Sequence, residues 1–185
     1  MKLDSEAPYI FTLDNVLSPG ECTKWIEKIE SLNPKLAPIS TVNGEVFKSE
    51  YRNNERVMIN SPEYALSLFE RLEDKLPSSI FGSALVGLNE LFRCYRYKPG
   101  MKFLPHSDGC YIRDSSERSY YTLLIYLNEV DAGGETAFFV DPEIKISPKS
   151  GSVLVFQHDI THEGCEVLSG IKYVVRTDVM YHRNA

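Results

Sequence analysis

The second half of the chain, residues 90–181, constrains the fold most, because short apolar runs follow one another there with turn sequences between them. Short runs of this kind, bounded by turn residues, are typical of β-strands. Lys98-Pro99-Gly100 and Asp131-Ala132-Gly133-Gly134 are two such turns. We expect strands over the following ranges: Glu90–Tyr97, Tyr120–Leu127, Thr136–Val140, Ile144–Ser147, Ser152–Phe156 and Lys172–Tyr181.

Two helices are predicted in the first half, and each begins with a Ser-Pro pair. Ser18 can cap the first helix, Glu21 completes a capping box, and Pro34 ends the helix. The second helix begins at Ser61-Pro62 and ends before Pro77. Helices followed by strands, without strand–helix alternation, disfavour a parallel doubly wound sheet. We expect a mainly β fold, a barrel or jelly roll with the two helices on its outside.

Charge and composition restrict the partners and the compartment. The net charge is −6, which disfavours a nucleic-acid partner, although local basic patches remain open. No apolar run approaches the ~18 residues of a membrane span, so we expect no membrane partner. The first residues lack the apolar stretch of a signal peptide, and the four cysteines form no CxxC pair. We therefore predict a cytoplasmic protein with reduced thiols.

The histidines indicate a metal site. In His106-Ser107-Asp108, an extended backbone places the imidazole and the carboxylate on the same face. His162 is the candidate third ligand. Two imidazoles and one carboxylate, with coordination positions left open, form the facial triad of non-haem Fe(II). The His-x-Asp pattern alone is common in proteins. We expect His158 in a loop, with a substrate contact as the alternative.

Two cations on the last predicted strand indicate an anion site. Lys172 and Arg176 alternate onto one face of that strand. If this face points into a barrel, the buried cations need an anionic partner. A dicarboxylate could supply one through a charge-assisted hydrogen bond. The alternative is that both side chains face solvent or pair with acidic residues of the chain.

A set of motifs in residues 91–181 supports this interpretation by resemblance. The motifs are Tyr97–Gly100, His106–Asp108, Tyr121–Asn128, Gly133–Thr136, Pro148–Phe156, His162–Gly164 and Gly170–Tyr173. In order and spacing, they resemble the prolyl 4-hydroxylase branch of the Fe(II)/2-oxoglutarate-dependent dioxygenases. The resemblance covers roughly half of the chain.

The resemblance implies a double-stranded β-helix, the jelly-roll core of cupin-like proteins. It implies Fe(II) bound by His106, Asp108 and His162, with 2-oxoglutarate and O2 as cosubstrates and ascorbate as an auxiliary reductant. The implied reaction hydroxylates an unactivated C–H bond and releases succinate and CO2. Halogenating relatives lack the carboxylate ligand, so the presence of Asp108 favours hydroxylation, or a demethylation or desaturation that starts the same way.

The resemblance also implies a cosubstrate pocket. Lys172 would bind the C5 carboxylate of 2-oxoglutarate, and Tyr97 and Thr122 would line the pocket. Arg176 matches no universal family position, so it could be a second anchor, a substrate contact or part of a structural ion pair. Which of Lys172 and Arg176 is the main anchor stays open.

The remaining expectations concern the substrate and the domain organisation. We expect one domain over residues 1–185, with residues 1–90 as helical support and substrate lid, and residues 91–182 as the catalytic core. Residues 41–60 are a solvated loop or hairpin, or else a lid, and the loop 109–119 could close on the substrate. The candidate substrate contacts are Asn54, Arg56 and Tyr111.

Three functional hypotheses follow from these residues. The first is a prolyl-type hydroxylase that acts on an amino-acid residue in a protein or on a small amino-acid-like molecule. The second is a non-catalytic β-barrel module that binds 2-oxoglutarate or metal. The third is a nucleic-acid demethylase of the same superfamily, which the acidic composition disfavours.

Overall fold

The computed structural model describes residues 3–41 and 44–183. Within these ranges, helix α1 spans Pro19–Ser31 and helix α2 spans Pro62–Leu72, followed by a 3-10 turn at Glu73–Lys75. The strands are β1 Ile10–Leu13, β2 Lys35–Leu36, β3 Ile39–Thr41, β4 Gly44–Val46, β5 Glu55–Asn60, β6 Ser79–Ile80, β7 Ser83–Leu88, β8 Leu91–Tyr97, β9 Phe103–His106, β10 Glu117–Tyr126, β11 Ala132–Gly133, β12 Thr136–Phe138, β13 Ile144–Ile146, β14 Val153–Gln157, β15 His162–Gly164, β16 Val167–Ser169 and β17 Lys172–Arg183.

The strands form two main sheets, and all their pairings are antiparallel. The larger sheet has the order β1-β14-β10-β17-β8-β5-β2, and β7 pairs with the far end of β17 and with β6. The smaller sheet has the order β13-β12-β15-β9. Two short two-stranded sheets complete the described part of the chain: the hairpin β3-β4 and the long-range pair β11-β16. The prediction of a mainly β architecture is confirmed.

The larger sheet lies between two cores. On its outer face it packs against both helices, with Ile29, Leu68 and Leu72 among the fully buried side chains. On its inner face it packs against the smaller sheet, where Phe138 and Phe156 meet at 5.0 Å between ring centroids. The predicted position of the helices on the outside is therefore correct.

Strand β17 takes part in both cores because successive side chains of a strand point to opposite faces. Tyr173 and Val175 belong to the helix-side core. Lys172, Val174 and Arg176 point the other way and line a cavity between the sheets. The period of two along this strand thus brings two cations toward the smaller sheet.

Residues 41–60 differ in part from the expected loop or hairpin. A hairpin is present, since β3 pairs with β4, but Glu55–Asn60 is strand β5 and pairs with β8 along its whole length. The polar composition of this segment concealed the strand, because β5 lies near the edge of the larger sheet and leaves several side chains partly in water.

The capping box at Ser18 allows a stability prediction. The Ser18 hydroxyl accepts a hydrogen bond from the Glu21 backbone amide at 3.3 Å, and Glu21 accepts one from the Ser18 amide at 2.8 Å. Ser18→Ala should lower the free energy of unfolding by about 1 kcal/mol, measured by urea denaturation. Ser31→Ala, at the other end of α1, is the matched control. Equal stability of the Ser18 variant and the wild type would contradict the capping role.

Candidate metal and cosubstrate site

Three ligand side chains converge where the smaller sheet meets the larger one. His106 ends β9 and His162 begins β15, and the two residues are direct partners in the antiparallel pairing of these strands. Asp108 follows two residues after β9. One ligand atom from each of the three residues lies within 4.8 Å of the others. The structure therefore brings together the predicted donors, which are separated by as many as 56 positions along the chain.

Each imidazole is oriented by a backbone carbonyl. His106 Nδ1 lies 2.8 Å from the carbonyl oxygen of Leu104, and His162 Nδ1 lies 2.9 Å from that of Ile160. A carbonyl can only accept a hydrogen bond, so Nδ1 carries the proton and Nε2 keeps its lone pair. Both Nε2 atoms face the Asp108 carboxylate, at 4.0 Å and 3.7 Å. This arrangement fits a divalent metal ion of the Fe(II) type.

Burial keeps both imidazoles neutral. Burial, together with the neighbouring His162, lowers the pKa of His106 to about 4. Burial likewise lowers the pKa of His162 below its ordinary value. Neutral imidazole is the form that binds metals, so these rings are ready to act as ligands at neutral pH.

The third donor, Asp108, is held in its ionised form. Burial alone would raise the pKa of Asp108, but the Arg176 guanidinium and the nearby histidines hold it well below its usual range. Arg176 Nη1 lies 2.7 Å from Asp108 Oδ1. Arg176 also contacts Asp178 at 3.2 Å, and these carboxylates raise its own pKa against the effect of burial. Both charges therefore persist in the buried site.

A second hydrogen-bond chain reaches Asp108 from the larger sheet. The Thr122 hydroxyl donates to Asp108 Oδ2 at 2.5 Å and lies 3.0 Å from His158 Nδ1. His158 Nε2 lies 2.8 Å from the Ser119 hydroxyl. His158 is in the turn after β14, as expected, but it is buried and bonded within the protein, so its position does not favour a substrate contact. Thr122 likewise contacts Asp108 and does not line the cavity that contains Lys172.

Removing this hydroxyl should weaken the metal site. Thr122→Val keeps the shape of the side chain but removes the donor that orients Asp108. We expect the affinity for Mn²⁺ to fall by roughly 10- to 100-fold, measured by electron paramagnetic resonance titration. Thr177→Val is the control, since Thr177 is buried in the same sheet and its hydroxyl donates to the carbonyl of Asn89, away from the triad. Unchanged Mn²⁺ affinity in Thr122→Val would exclude the positioning role.

Lys172 lies at the inner end of the cavity between the sheets, on the same strand as Arg176. Its ammonium group is buried and donates a hydrogen bond to the carbonyl of Gly134 at 2.6 Å. It also lies over the rings of Tyr97 and Tyr126, at 5.2 Å and 5.5 Å from their centroids. Among the described residues, no carboxylate forms a salt bridge with Lys172. A buried ammonium without a counter-ion is costly unless a ligand supplies one.

The carbonyl that holds Lys172 comes from a glycine turn. Gly133 and Gly134 have φ angles of +72° and +75°, which side chains other than glycine rarely adopt. A Cβ atom at Gly133 would collide with the carbonyl oxygen of Glu166. The Gly-Gly pair is therefore required for the turn that presents its carbonyl to the ammonium group.

The predicted substrate contacts lie outside the site. Arg56 pairs with Glu45 at 3.0 Å in the hairpin region. Tyr111 is tied through its backbone amide to Ser119, and Asn54 is fully buried and accepts a hydrogen bond from Arg52 Nε at 2.8 Å. None of the three predicted residues lines either of the two cavities at the triad. Strand β5 carries Arg56 away from these cavities, and a substrate contact by any of the three residues stays a prediction.

Two cavities meet at the triad: the inner cavity between the sheets, which contains Lys172, and an outer cavity on the other side of His106 and Asp108. Sequence patterns did not identify the side chains that line the outer cavity. Its wall includes Lys48, Tyr51, Arg52 and Arg93, and Arg176 borders both cavities. Lys48–Arg52 form a turn that crosses β9, where Arg52 bridges to Phe103 and Tyr51 donates a hydrogen bond to Pro105 at 2.5 Å. Such contacts between distant segments carry no local sequence signal.

Comparison with known proteins agrees with this geometry. Residues 92–177 match the family model described as the 2OG-Fe(II) oxygenase superfamily. Prolyl 4-hydroxylase 1 of Arabidopsis thaliana is 27% identical over 199 residues, covering 91% of this chain and 68% of that protein. Prolyl 4-hydroxylase 2 of the same plant is 26% identical and covers 94% of this chain and 67% of its own length.

Solved structures show the same fold. The viral collagen prolyl hydroxylase of Paramecium Bursaria Chlorella virus-1, solved with 2OG, has a TM-score of 0.65 and 23% identity, covering 95% of this chain and 97% of its own. A prolyl hydroxylase from Trichoplax adhaerens, solved with a peptide fragment of the hypoxia inducible factor, has a TM-score of 0.71 and 18% identity, with coverage of 94% and 83%. The predicted double-stranded β-helix is thereby confirmed.

The family match over residues 92–177 and the His-Asp-His site are characteristic of a 2-oxoglutarate-dependent dioxygenase of the 2OG-Fe(II) oxygenase superfamily. Within the superfamily, the similarity that extends over most of the chain is to prolyl 4-hydroxylases. Among the described residues, no helix has the length and apolar character needed to cross a membrane.

Proposed function

We propose that this protein hydroxylates an unactivated C–H bond of a prolyl-type unit, in a peptide or in a small amino-acid-like molecule. The proposal depends above all on the buried Lys172, at the end of a cavity bordered by the metal-binding triad, which has no counter-ion within the described part of the chain. The similarity to plant prolyl 4-hydroxylases supports the prolyl-type substrate. A non-catalytic module is less favoured, because it would not need the complete donor set and the anchor together.

In this proposal His106, Asp108 and His162 hold Fe(II). With 2-oxoglutarate and O2, the metal centre would supply the oxidative decarboxylation that yields succinate and CO2 and drives C–H hydroxylation. The protein's part is to fix the ligands. The carbonyls of Leu104 and Ile160 set the imidazole tautomers, while Thr122 and Arg176 hold the carboxylate in place.

We assign Lys172 as the main anchor for the C5 carboxylate of 2-oxoglutarate. Arg176 is the weaker candidate, because its Nη1 and Nη2 atoms are already engaged by Asp108 and Asp178. Tyr97 and Tyr126 surround the ammonium group of Lys172 with apolar ring faces that exclude water. A charge-assisted hydrogen bond is strong in such surroundings.

The unpaired ammonium group predicts a pH-dependent stability. Burial lowers the pKa of Lys172 from 10.5 to about 8. Between these values the unfolded chain binds more protons than the folded protein, so the free energy of unfolding should rise with pH. This increase in the free energy of unfolding is complete above about pH 10.5 and is lost as the pH falls through about 8. Its size is roughly 3 kcal/mol.

This dependence is measured by urea denaturation of the unliganded protein from pH 7 to 10.5, always as the difference from Lys172→Met. The variant removes the titrating group, so the contributions of all other groups cancel to first order. A constant difference across this range would contradict a depressed pKa at Lys172.

The function itself is tested by product formation. The purified protein is incubated with Fe(II), 2-oxoglutarate, O2 and ascorbate, which we propose as the reductant that keeps iron ferrous. Succinate release should rise above the substrate-free rate with prolyl peptides or with N-acetyl-L-proline. Mass spectrometry should show a product that is 16 Da heavier, with the oxygen on the prolyl ring. Absence of succinate under all conditions, with metal bound, would favour the non-catalytic module.

Two further expectations remain proposals. The described cysteines are all free thiols, which supports a cytoplasmic location. Pairing of β1 with β14 and of β5 with β8 joins the N-terminal segment to the core sheet, which supports one domain over residues 1–185.

A further inference from the structure

The cavity on the outer side of the triad is strongly basic. It encloses about 730 Å³ and is bordered by His106 and Asp108 on the metal side. Its wall carries cationic side chains from three separate segments of the chain, namely Lys48, Arg52, Arg93 and Arg176. Asp108 is the one carboxylate among its lining residues in the described part of the chain. The charge of this cavity is thus opposite to the net charge of −6 on the whole protein.

Two of the four cations are balanced by carboxylates of the protein. Arg93 contacts Asp178 at 3.0 Å, and Arg176 contacts both Asp178 and Asp108. Lys48 and Arg52 have no carboxylate partner among the residues that the structure describes. The cavity therefore holds an excess of positive charge that the protein itself does not neutralise.

Arg52 is the informative member of the pair, because it is only 6% exposed. Its guanidinium lies 4.3 Å from the ring centroid of Phe103 and 5.0 Å from that of Tyr95. Nε donates to Asn54 and Nη1 donates to the carbonyl of Pro38, while Nη2 has no hydrogen-bond partner in residues 3–41 and 44–183. A buried guanidinium with neutral partners only is unfavourable unless a ligand completes its electrostatic environment.

The backbone holds Arg52 at this position. Arg52 forms a β-bridge with Phe103, and the Leu104 amide donates a hydrogen bond to the carbonyl of Tyr51 at 3.0 Å. Phe103 in turn stacks on His106 at 3.5 Å between ring centroids. The unpaired cation is therefore fixed one aromatic ring away from a candidate metal ligand.

We propose that this cavity binds the substrate through a carboxylate close to the carbon that is oxidised, and that Arg52 and Lys48 are its specificity determinants. This inference rests on the proposed hydroxylase function. The carboxylate could be the α-carboxylate of a free amino acid or the acidic side chain of a peptide. It is distinct from the cosubstrate's carboxylate, because Lys172 lines the inner cavity and not this one.

The test is calorimetric titration of the protein loaded with Mn²⁺ and N-oxalylglycine, so that the site at Lys172 is occupied. The probes are two matched pairs. N-acetyl-L-proline is compared with N-acetyl-L-prolinamide, and acetyl-Asp-Pro-amide is compared with acetyl-Asn-Pro-amide. At least one charged probe should have an affinity at least ten times higher than that of its neutral counterpart. The pair that shows the preference identifies the source of the carboxylate.

Variants then assign the preference to the two cations. Arg52→Gln should reduce the charged-over-neutral preference at least tenfold. Because Arg52 is buried and its variant could unfold, the exposed Lys48→Gln serves as a second test, with an expected reduction of about threefold. Lys149→Gln, which removes an exposed lysine paired with Asp14, is the control and should retain the wild-type preference.

The outcomes separate this inference from the proposed function. If Mn²⁺ and N-oxalylglycine bind but charged and neutral probes bind equally, or none binds, the carboxylate site is refuted and the hydroxylase remains. If Mn²⁺ and N-oxalylglycine themselves fail to bind, the proposed function fails first. Tighter binding of inorganic phosphate than of any carboxylate probe would also overturn the assignment.

Discussion

Replacing His106 by alanine should abolish 2-oxoglutarate-dependent succinate formation, with a loss on the order of a thousandfold or more. The variant removes one of two imidazole donors from a site that offers three ligands in all. Metal affinity should fall with activity, and Mn²⁺ titration by electron paramagnetic resonance measures it directly. Asp108→Ala should have the same effect on turnover.

The two variants differ in their expected stability. His106 is neutral in the folded protein, so its loss leaves no uncompensated charge. Asp108→Ala instead deprives Arg176 of one of its two carboxylate partners in a buried position. We therefore expect Asp108→Ala to be the less stable of the two in thermal unfolding, by up to about 3–5 kcal/mol.

His182→Ala is the matched control, because His182 is exposed near the end of β17 and lies outside the site. It should retain wild-type turnover and metal binding. Succinate formation at the wild-type rate in His106→Ala or Asp108→Ala, with the protein folded, would refute the ligand assignment.

Lys172→Met should raise the KM for 2-oxoglutarate by roughly a hundredfold. The variant removes one charge-assisted hydrogen bond in a buried site, which contributes about 1.5–3 kcal/mol, and the loss of the ion pair adds to it. KM is measured by succinate release, and the affinity for N-oxalylglycine is measured by calorimetry. Both quantities should change in the same direction.

The stability of Lys172→Met distinguishes a ligand-binding role for Lys172 from a structural role, since loss of a structural residue would destabilise the protein. In the unliganded protein Lys172→Met removes an unpaired buried charge, so at pH 7 the variant should be more stable than the wild type. Lys149→Met is the control with neither effect. An unchanged KM in Lys172→Met would shift the anchor to Arg176, despite the two carboxylates that already engage it.

Much of the architecture was predictable from local patterns. The Ser-Pro pairs, the capping box and the apolar spacing located both helices, and α1 begins at Pro19 as expected. The second helix ends at Leu72 and tightens into a 3-10 turn over the polar residues Glu73–Lys75, before the buried Leu76 and Pro77. The long apolar strands β10, β14 and β17 were found for the same local reason.

Short and polar strands escaped prediction. Strand β9 is four residues long and contains Pro105, and β15 is three residues long and contains Gly164. Neither has an alternating pattern that could be recognised. Yet these two strands pair and bring His106 opposite His162. The site thus depends on elements whose stability comes from tertiary pairing and not from local propensity.

The sequence by itself determined the donor types, the cation on the last strand and the mainly β class, because residue chemistry and a period of two are local properties. Only the tertiary structure decided which cation lacks a counter-ion. Lys172 and Arg176 share a face of β17, but among the described residues the chain places the carboxylates of Asp108 and Asp178 against Arg176 and none against Lys172. It likewise places Arg52 beside Phe103, which lies 51 positions further along the chain. Electrostatic pairing depends on the distance between charges in space, and the separation of two residues in the sequence does not determine that distance.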